Sequence, residues 1–207
     1  MEEKNHSGVV PEHYTGKIID TEESVDFENS EAAKQFFSVV KDRLIHVNKW
    51  NKIAGALSAD FQLIDPQGVE VDRAVQRGDY FKIDIPGPGT LAGDGYDWVK
   101  VEEVEYADEP DVETVGIRVR PTTSPLNDKE GIAHFYSEES TSSFTVARKG
   151  NRITAGIYDR NTKRNKDAAT IVDKIRDAAV GTGAVTAFSK MQWSGLAKGL
   201  LQPEDHS

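Results

Sequence analysis

The sequence predicts an α+β domain, with helices flanking one antiparallel sheet of about six to eight strands. Three observations carry this. Apolar residues recur at helical spacing near both ends, from Ala33 to Val47 and from Ile171 to Leu200. Between Ala59 and Arg160, short segments instead alternate apolar and polar residues. The turns between those segments are too short to hold crossover helices, so consecutive strands must run antiparallel.

Residues 1–16 carry no periodic pattern and are expected to be disordered. A single domain is expected over 17–202, followed by a tail over 203–207. Lys17 to Phe27 reads as a first strand, with Ile18, Ile19, Val25 and Phe27 as its apolar positions. Asn29 or Ser30 then offers an N-cap, and Ala33, Phe36, Phe37, Val40, Leu44 and Val47 follow at helical spacing. The stripe loses its regularity through Trp50 and Ile53, which predicts a bend near His46 to Asn51.

The strand region divides into Ala59–Ile64, Val69–Ala74, Asp79–Ile85, Trp98–Tyr106, Thr114–Arg120, Ile132–Ser137, Ser142–Arg148 and Arg152–Asp159. Lys149-Gly150-Asn151 is a strong hairpin signal: Phe144 and Val146 alternate before it, and Ile153, Ala155 and Ile157 after it. A final helical block spans about Asp167 to Leu201, interrupted by Gly181-Thr182-Gly183. Two glycines there cost about 1 kcal/mol each relative to alanine. Its stripe resumes through Ala184, Val185, Phe188, Met191, Leu196 and Leu200, and is expected to be buried against the sheet.

Composition excludes several functions. The chain has 207 residues, enough for a core without covalent staples. It has no cysteine, so disulfides, thiolate metal sites and cysteine nucleophiles are ruled out. A formal charge of −10 argues against a nucleic-acid partner and against docking on an anionic membrane. No stretch approaches the roughly 20 apolar residues that a membrane span needs. The N-terminus has acidic residues where a signal peptide needs basic ones, so a cytoplasmic location is expected.

Glycines 87, 89, 93 and 95 invite comparison with a phosphate loop, but no Gly-Lys-Ser/Thr follows, and Asp94 and Asp97 would repel phosphate. Asp94 to Glu105 fails as a calcium loop because Trp98 and Val99 stand where a ligand and a glycine belong. Asp159 to Asp167 fails because its cations oppose a metal. Among the five histidines none forms an H-x-x-x-H pair. No metal and no cofactor are expected. Glu102, Glu103 and Glu105 lie so that Arg118 and Arg120 would pair with them on a neighbouring strand, a structural role. Ser140 to Ser143 lack a nucleophile elbow.

Certain stretches resemble a known family. They are Ser24-Val25-Asp26-Phe27 leading into Glu31–Val40, Trp50 beyond that helix, the Gly78-Asp79-Tyr80 turn, and Met191-Gln192-Trp193-Ser194-Gly195-Leu196. With the order strand, long helix, antiparallel strands, long C-terminal helix, the chain from roughly 17 to 201 resembles the START-like (SRPBCC, helix-grip) superfamily. The resemblance implies a curved sheet wrapped around the C-terminal helix, with a cavity between them. Members of that superfamily bind lipids, sterols, polyketides or other apolar molecules, and some are cyclases or hydrolases.

Three functions follow as expectations. The first is a non-enzymatic binding module for a small apolar or amphipathic ligand. Trp50, Phe81, Tyr96, Trp98, His134, Tyr136, Phe144 and Phe188 are its candidate binding residues, and the loop Pro86 to Tyr96 its lid. The second is a cyclase- or hydrolase-type enzyme using His134, the single catalytic candidate because histidine titrates near neutrality. The third is an interaction protein with a filled core. Oligomeric state is left open.

Overall fold

Asn29 starts the first helix as its position demands: its side-chain oxygen accepts the Ala32 N–H at 2.9 Å. The computed structural model describes residues 7–55, 59–85, 92–165 and 183–203, with the backbone alone over 183–189. Helix α1 spans Ser30–Ile45, a 3₁₀ turn follows over Val47–Lys49, and α2 spans Trp50–Ala54. The bend expected near His46 is therefore present. Trp50 fixes it, donating its indole N–H to the carbonyls of Arg43 at 3.2 Å and Leu44 at 3.1 Å, groups left unpaired at the helix end.

Seven strands form one antiparallel sheet: β1 Lys17–Asp26, β2 Asp60–Ile64, β3 Tyr80–Asp84, β4 Asp97–Glu109, β5 Val112–Pro121, β6 Thr141–Lys149 and β7 Arg152–Thr162. Their order is β1-β7-β6-β5-β4-β3-β2, so the first strand closes against the last. Register shifts between Lys17 and Ile19 on β1 and between Val101 and Glu103 on β4 bend the strands and curve the sheet. The C-terminal helix α3 spans Gly183–Leu201 and packs along α2, β1 and β7. The α+β helix-grip architecture is thus present. The part of the expected C-terminal helix over 166–182 lies outside the described residues, as does the loop segment 86–91.

Two expected strands are not strands. Val69–Ala74 contributes an isolated bridge, Ile64 to Glu70, and folds back on β2 through Val71 N–H to Leu63 O at 3.0 Å. Ile132–Ser137 makes a bridge at Tyr136 to Arg164, and its backbone groups are shared among different partners instead of one strand: Ala133 N–H bonds to the Thr122 carbonyl and Ser137 N–H to the Lys163 carbonyl, both at 2.9 Å.

The main core lies on the concave face, where Phe61, Leu63, Phe81, Ile83, Val99, Val101, Ile117, Phe144, Val146 and Ile157 meet the buried residues of α1 and α3. Helix α3 buries Gln192, Leu196 and Leu200, one turn apart, together with Ala197 and Leu201. Met191 corrects the expected stripe: it is 68% exposed, because five residues before Leu196 is more than a third of a turn off that face. Gly195 and Gly199 let α3 approach α2 closely; a Cβ on Gly199 would lie 1.9 Å from the Ile53 carbonyl oxygen.

Residues 7–16, expected to be disordered, instead run over the outer face of the sheet. Val9 is fully buried there, above Gly116. Also on that face, Glu102 pairs with Arg118 at 2.9 Å and Arg120 at 2.5 Å, and Glu103 with Arg118 at 2.7 Å. Burial pushes the Glu102 carboxyl up, but the Arg120 and Arg118 guanidiniums outweigh it and hold the group below the ordinary carboxylate range.

Candidate functional site

On β7 the inward positions are Ile153, Ala155 and Ile157, and the same alternation puts Asp159 next on the concave face. Asp159 is fully buried. Its register partner on β6, Ser142, donates a hydroxyl hydrogen bond to Oδ1 at 2.7 Å. Trp193 on α3 donates its indole N–H to Oδ2 at 3.0 Å. Burial raises the Asp159 carboxyl to about 6, against the two hydrogen bonds and the nearby Arg160, which favour the ionised form. This group changes protonation near neutrality and can accept a hydrogen bond or hold a proton.

The same Trp193 ring packs edge-on against Phe144, with centroids 5.2 Å apart. Phe144 in turn meets Trp50 at 4.8 Å, and Trp50 meets Phe61 at 5.2 Å and Phe81 at 5.7 Å. A continuous aromatic row therefore crosses the concave face and ends at the Asp159 carboxyl.

Of the candidate binding residues, Trp50, Phe81 and Phe144 are brought together in this row. Trp98 and Tyr96 are not. Trp98 alternates with the inward Val99 and Val101, and packs on the outer face with Ile64 and Ala133 in a separate cluster. Tyr96 packs against that cluster, with the Lys82 ammonium 4.4 Å above its ring. It borders an open, polar concavity of about 360 Å³ that also includes Asn48, Asp60, Glu70, Lys82 and Asp84. There Asn51 donates to Asp60, and Lys82 pairs with Glu70 at 3.3 Å.

His134 and Tyr136 lie in the loop between β5 and β6. His134 is buried; its Nδ1 accepts the Tyr136 N–H at 2.9 Å, and its ring stacks on Phe135 at 4.3 Å. Asn165 holds the loop by donating to the His134 carbonyl at 3.0 Å. The side chain of Phe188 lies outside the described residues. Asp159, Ser142 and Trp193 were not among the sequence candidates. The alternation through Ile153, Ala155 and Ile157 was the signal for Asp159; no sequence pattern pairs it with Trp193.

Among the described residues no group of three or more histidine, aspartate or glutamate side chains is placed to hold a metal ion. No described helix is long and apolar enough to cross a membrane.

No protein-family model matches the chain, and no curated protein matches it. Among solved structures it is similar to a hypothetical protein from Helicobacter pylori, at 13% identity and a TM-score of 0.48, covering 88% of this chain and 87% of that one. It is similar to norcoclaurine synthase from Thalictrum flavum, solved with dopamine and hydroxybenzaldehyde, at 12% identity and a TM-score of 0.35, covering 86% and 84%. A third is major latex-like protein 151 from Panax ginseng, at 14% identity and a TM-score of 0.40, covering 91% and 100%. The helix-grip architecture stands on this chain's own strand order and C-terminal helix.

Proposed function

We propose that the protein binds a small amphipathic molecule between the concave face of the sheet and α3, without covalent chemistry. The observation that carries this is the double contact of Trp193: one ring edge meets the apolar row at Phe144 and the indole N–H meets the Asp159 carboxylate. A ligand with an apolar body and one polar group matches an aromatic wall that ends in a single buried acid, the usual balance of a small-molecule site. Phe144, Phe81 and Trp50 are the proposed apolar wall, and Asp159 the polar end. Native mass spectrometry of the freshly purified protein tests this. A co-purifying mass of a few hundred daltons at one per chain supports it, and loss of that mass in Trp193→Ala places it.

A filled core serving an interaction protein is the second reading. It is favoured by the enclosure of Trp50 between Phe61, Phe81 and Phe144, which occupies much of the inner face with protein side chains. Under that reading no small molecule co-purifies or binds saturably.

A further inference from the structure

We propose that residues 7–16 are a latch on the C-terminal end of β7, holding closed the strand end that carries Asp159 and Trp193's partner face. The anchors are specific. Asn161 has φ 55°, a left-handed conformation that asparagine tolerates better than most residues. Both ends of its side-chain amide are committed to the segment: Oδ1 accepts the N–H of Tyr14 at 2.8 Å and of Thr15 at 3.2 Å, and Nδ2 donates to the Glu12 carbonyl at 3.2 Å. Its own N–H donates to His13 Nδ1 at 3.4 Å. Gly16, at φ 68°, passes so close that a Cβ would lie 2.4 Å from the Thr162 carbonyl oxygen.

A second anchor sits farther along the outer face. The Val9 carbonyl accepts from Ser143 Oγ at 3.1 Å and from Arg118 Nη1 at 3.3 Å. Gly116 leaves the space, since a Cβ there would meet Val9 Cγ2 at 2.6 Å.

The ladder itself holds the strand end weakly. Pairing of β7 with β6 ends at Arg160 opposite Thr141, and pairing with β1 is irregular between Lys17 and Ile19. Beyond Arg160 the strand end is held by the latch, by the Lys17–Thr162 pair of the β1 ladder, by Ser140 Oγ to the Asn161 carbonyl at 3.3 Å and by Thr162 Oγ1 to the Lys17 carbonyl at 2.7 Å. Residues 163–165 after it bond to the loop before β6, as Ser137 N–H to the Lys163 carbonyl and Asn165 N–H to the Phe135 carbonyl, both at 2.9 Å. Asp159 lies two residues before Asn161 on the same strand. Freeing residues 7–16 therefore loosens the strand where it meets Trp193, while the sheet from β2 to β6 keeps its ladders. The consequence for ligand access rests on the proposed concave-face site, but the latch is read without any ligand, so the two fail separately.

Hydrogen exchange on the full chain tests it, with Asn161→Gly, which keeps the backbone angle and removes the amide, and Val9→Asp, which expels the second anchor. Both variants are expected to exchange about tenfold faster over 159–165, with β2 to β4 unchanged, as local opening predicts. Acrylamide quenching of tryptophan fluorescence is expected to rise, because Trp50 and Trp98 are fully buried and Trp193 is the half-buried indole. Unchanged exchange over 159–165 in both variants overturns the latch. So does equal acceleration across the whole sheet, which is ordinary core packing. Faster exchange with unchanged quenching overturns the control of access to Trp193. If Val9→Asp does not fold, Asn161→Gly decides alone.

Discussion

Trp193 on the C-terminal helix donates its indole N–H to the buried Asp159 carboxylate on β7 at 3.0 Å, joining helix to sheet through a polar contact beside an aromatic one. The pairing sets where the concave face changes from apolar to polar. It also makes the helix–sheet contact sensitive to the protonation of Asp159.

Because burial raises Asp159 to about 6 from the ordinary 3.8, the folded state binds its proton more tightly than the unfolded state. Its contribution is fully present below about pH 3.8 and is lost as pH rises through about 6. Asp159→Asn keeps a hydrogen-bonding side chain and removes the titration. Urea unfolding at pH 4.5 and 7.5 is expected to show the variant gaining roughly 2 kcal/mol on wild type between those values. A constant difference would mean that Asp159 titrates normally.

Trp50 is fully buried among three phenylalanine rings and closes the bend after α1. Trp50→Ala opens a cavity and frees two helix-end carbonyls, so a loss of about 3–5 kcal/mol is expected in denaturant unfolding. Trp50→Phe, which keeps most of the ring volume, is expected to lose less.

Gly199→Ala sets two effects against each other. Helix propensity alone gives alanine about 1 kcal/mol over glycine. The new Cβ, however, would lie 1.9 Å from the Ile53 carbonyl oxygen, a backbone atom that moves only if α2 and α3 separate. Net destabilisation of about 1–3 kcal/mol is expected, seen as a lower Tm. A raised Tm would show that the helices yield easily there.

The helices, the bend near His46 and most strand positions were legible because period and capping are local properties. Asn29 and the Gly150 turn are read directly from the chain. Val69–Ala74 and Ile132–Ser137 alternate like strands, yet a ladder also requires a partner, and these segments find isolated bridges and separate backbone partners instead. The site was half legible. Phe81 and Phe144 follow from alternation, and the same rule, carried one step past Ile157, reaches Asp159; applied to Val99, it turns Trp98 outward. That Trp193 would meet Asp159 depends on how α3 lies across β7, a tertiary relation no local pattern encodes. The burial of Val9 was equally hidden, since it rests on Gly116 more than a hundred residues away.

The most direct test of the concave-face site is hydrogen exchange of the whole protein with lauric acid, dodecylamine and 2-naphthoic acid, each with and without Trp193→Ala. The account predicts that at least one probe binds saturably, that it slows exchange along β6, β7 and α3 around Phe144, Asp159 and Trp193, and that the variant loses this protection. Absence of saturable binding by all three, or protection confined to the outer-face concavity beside Tyr96 and Lys82, would contradict it.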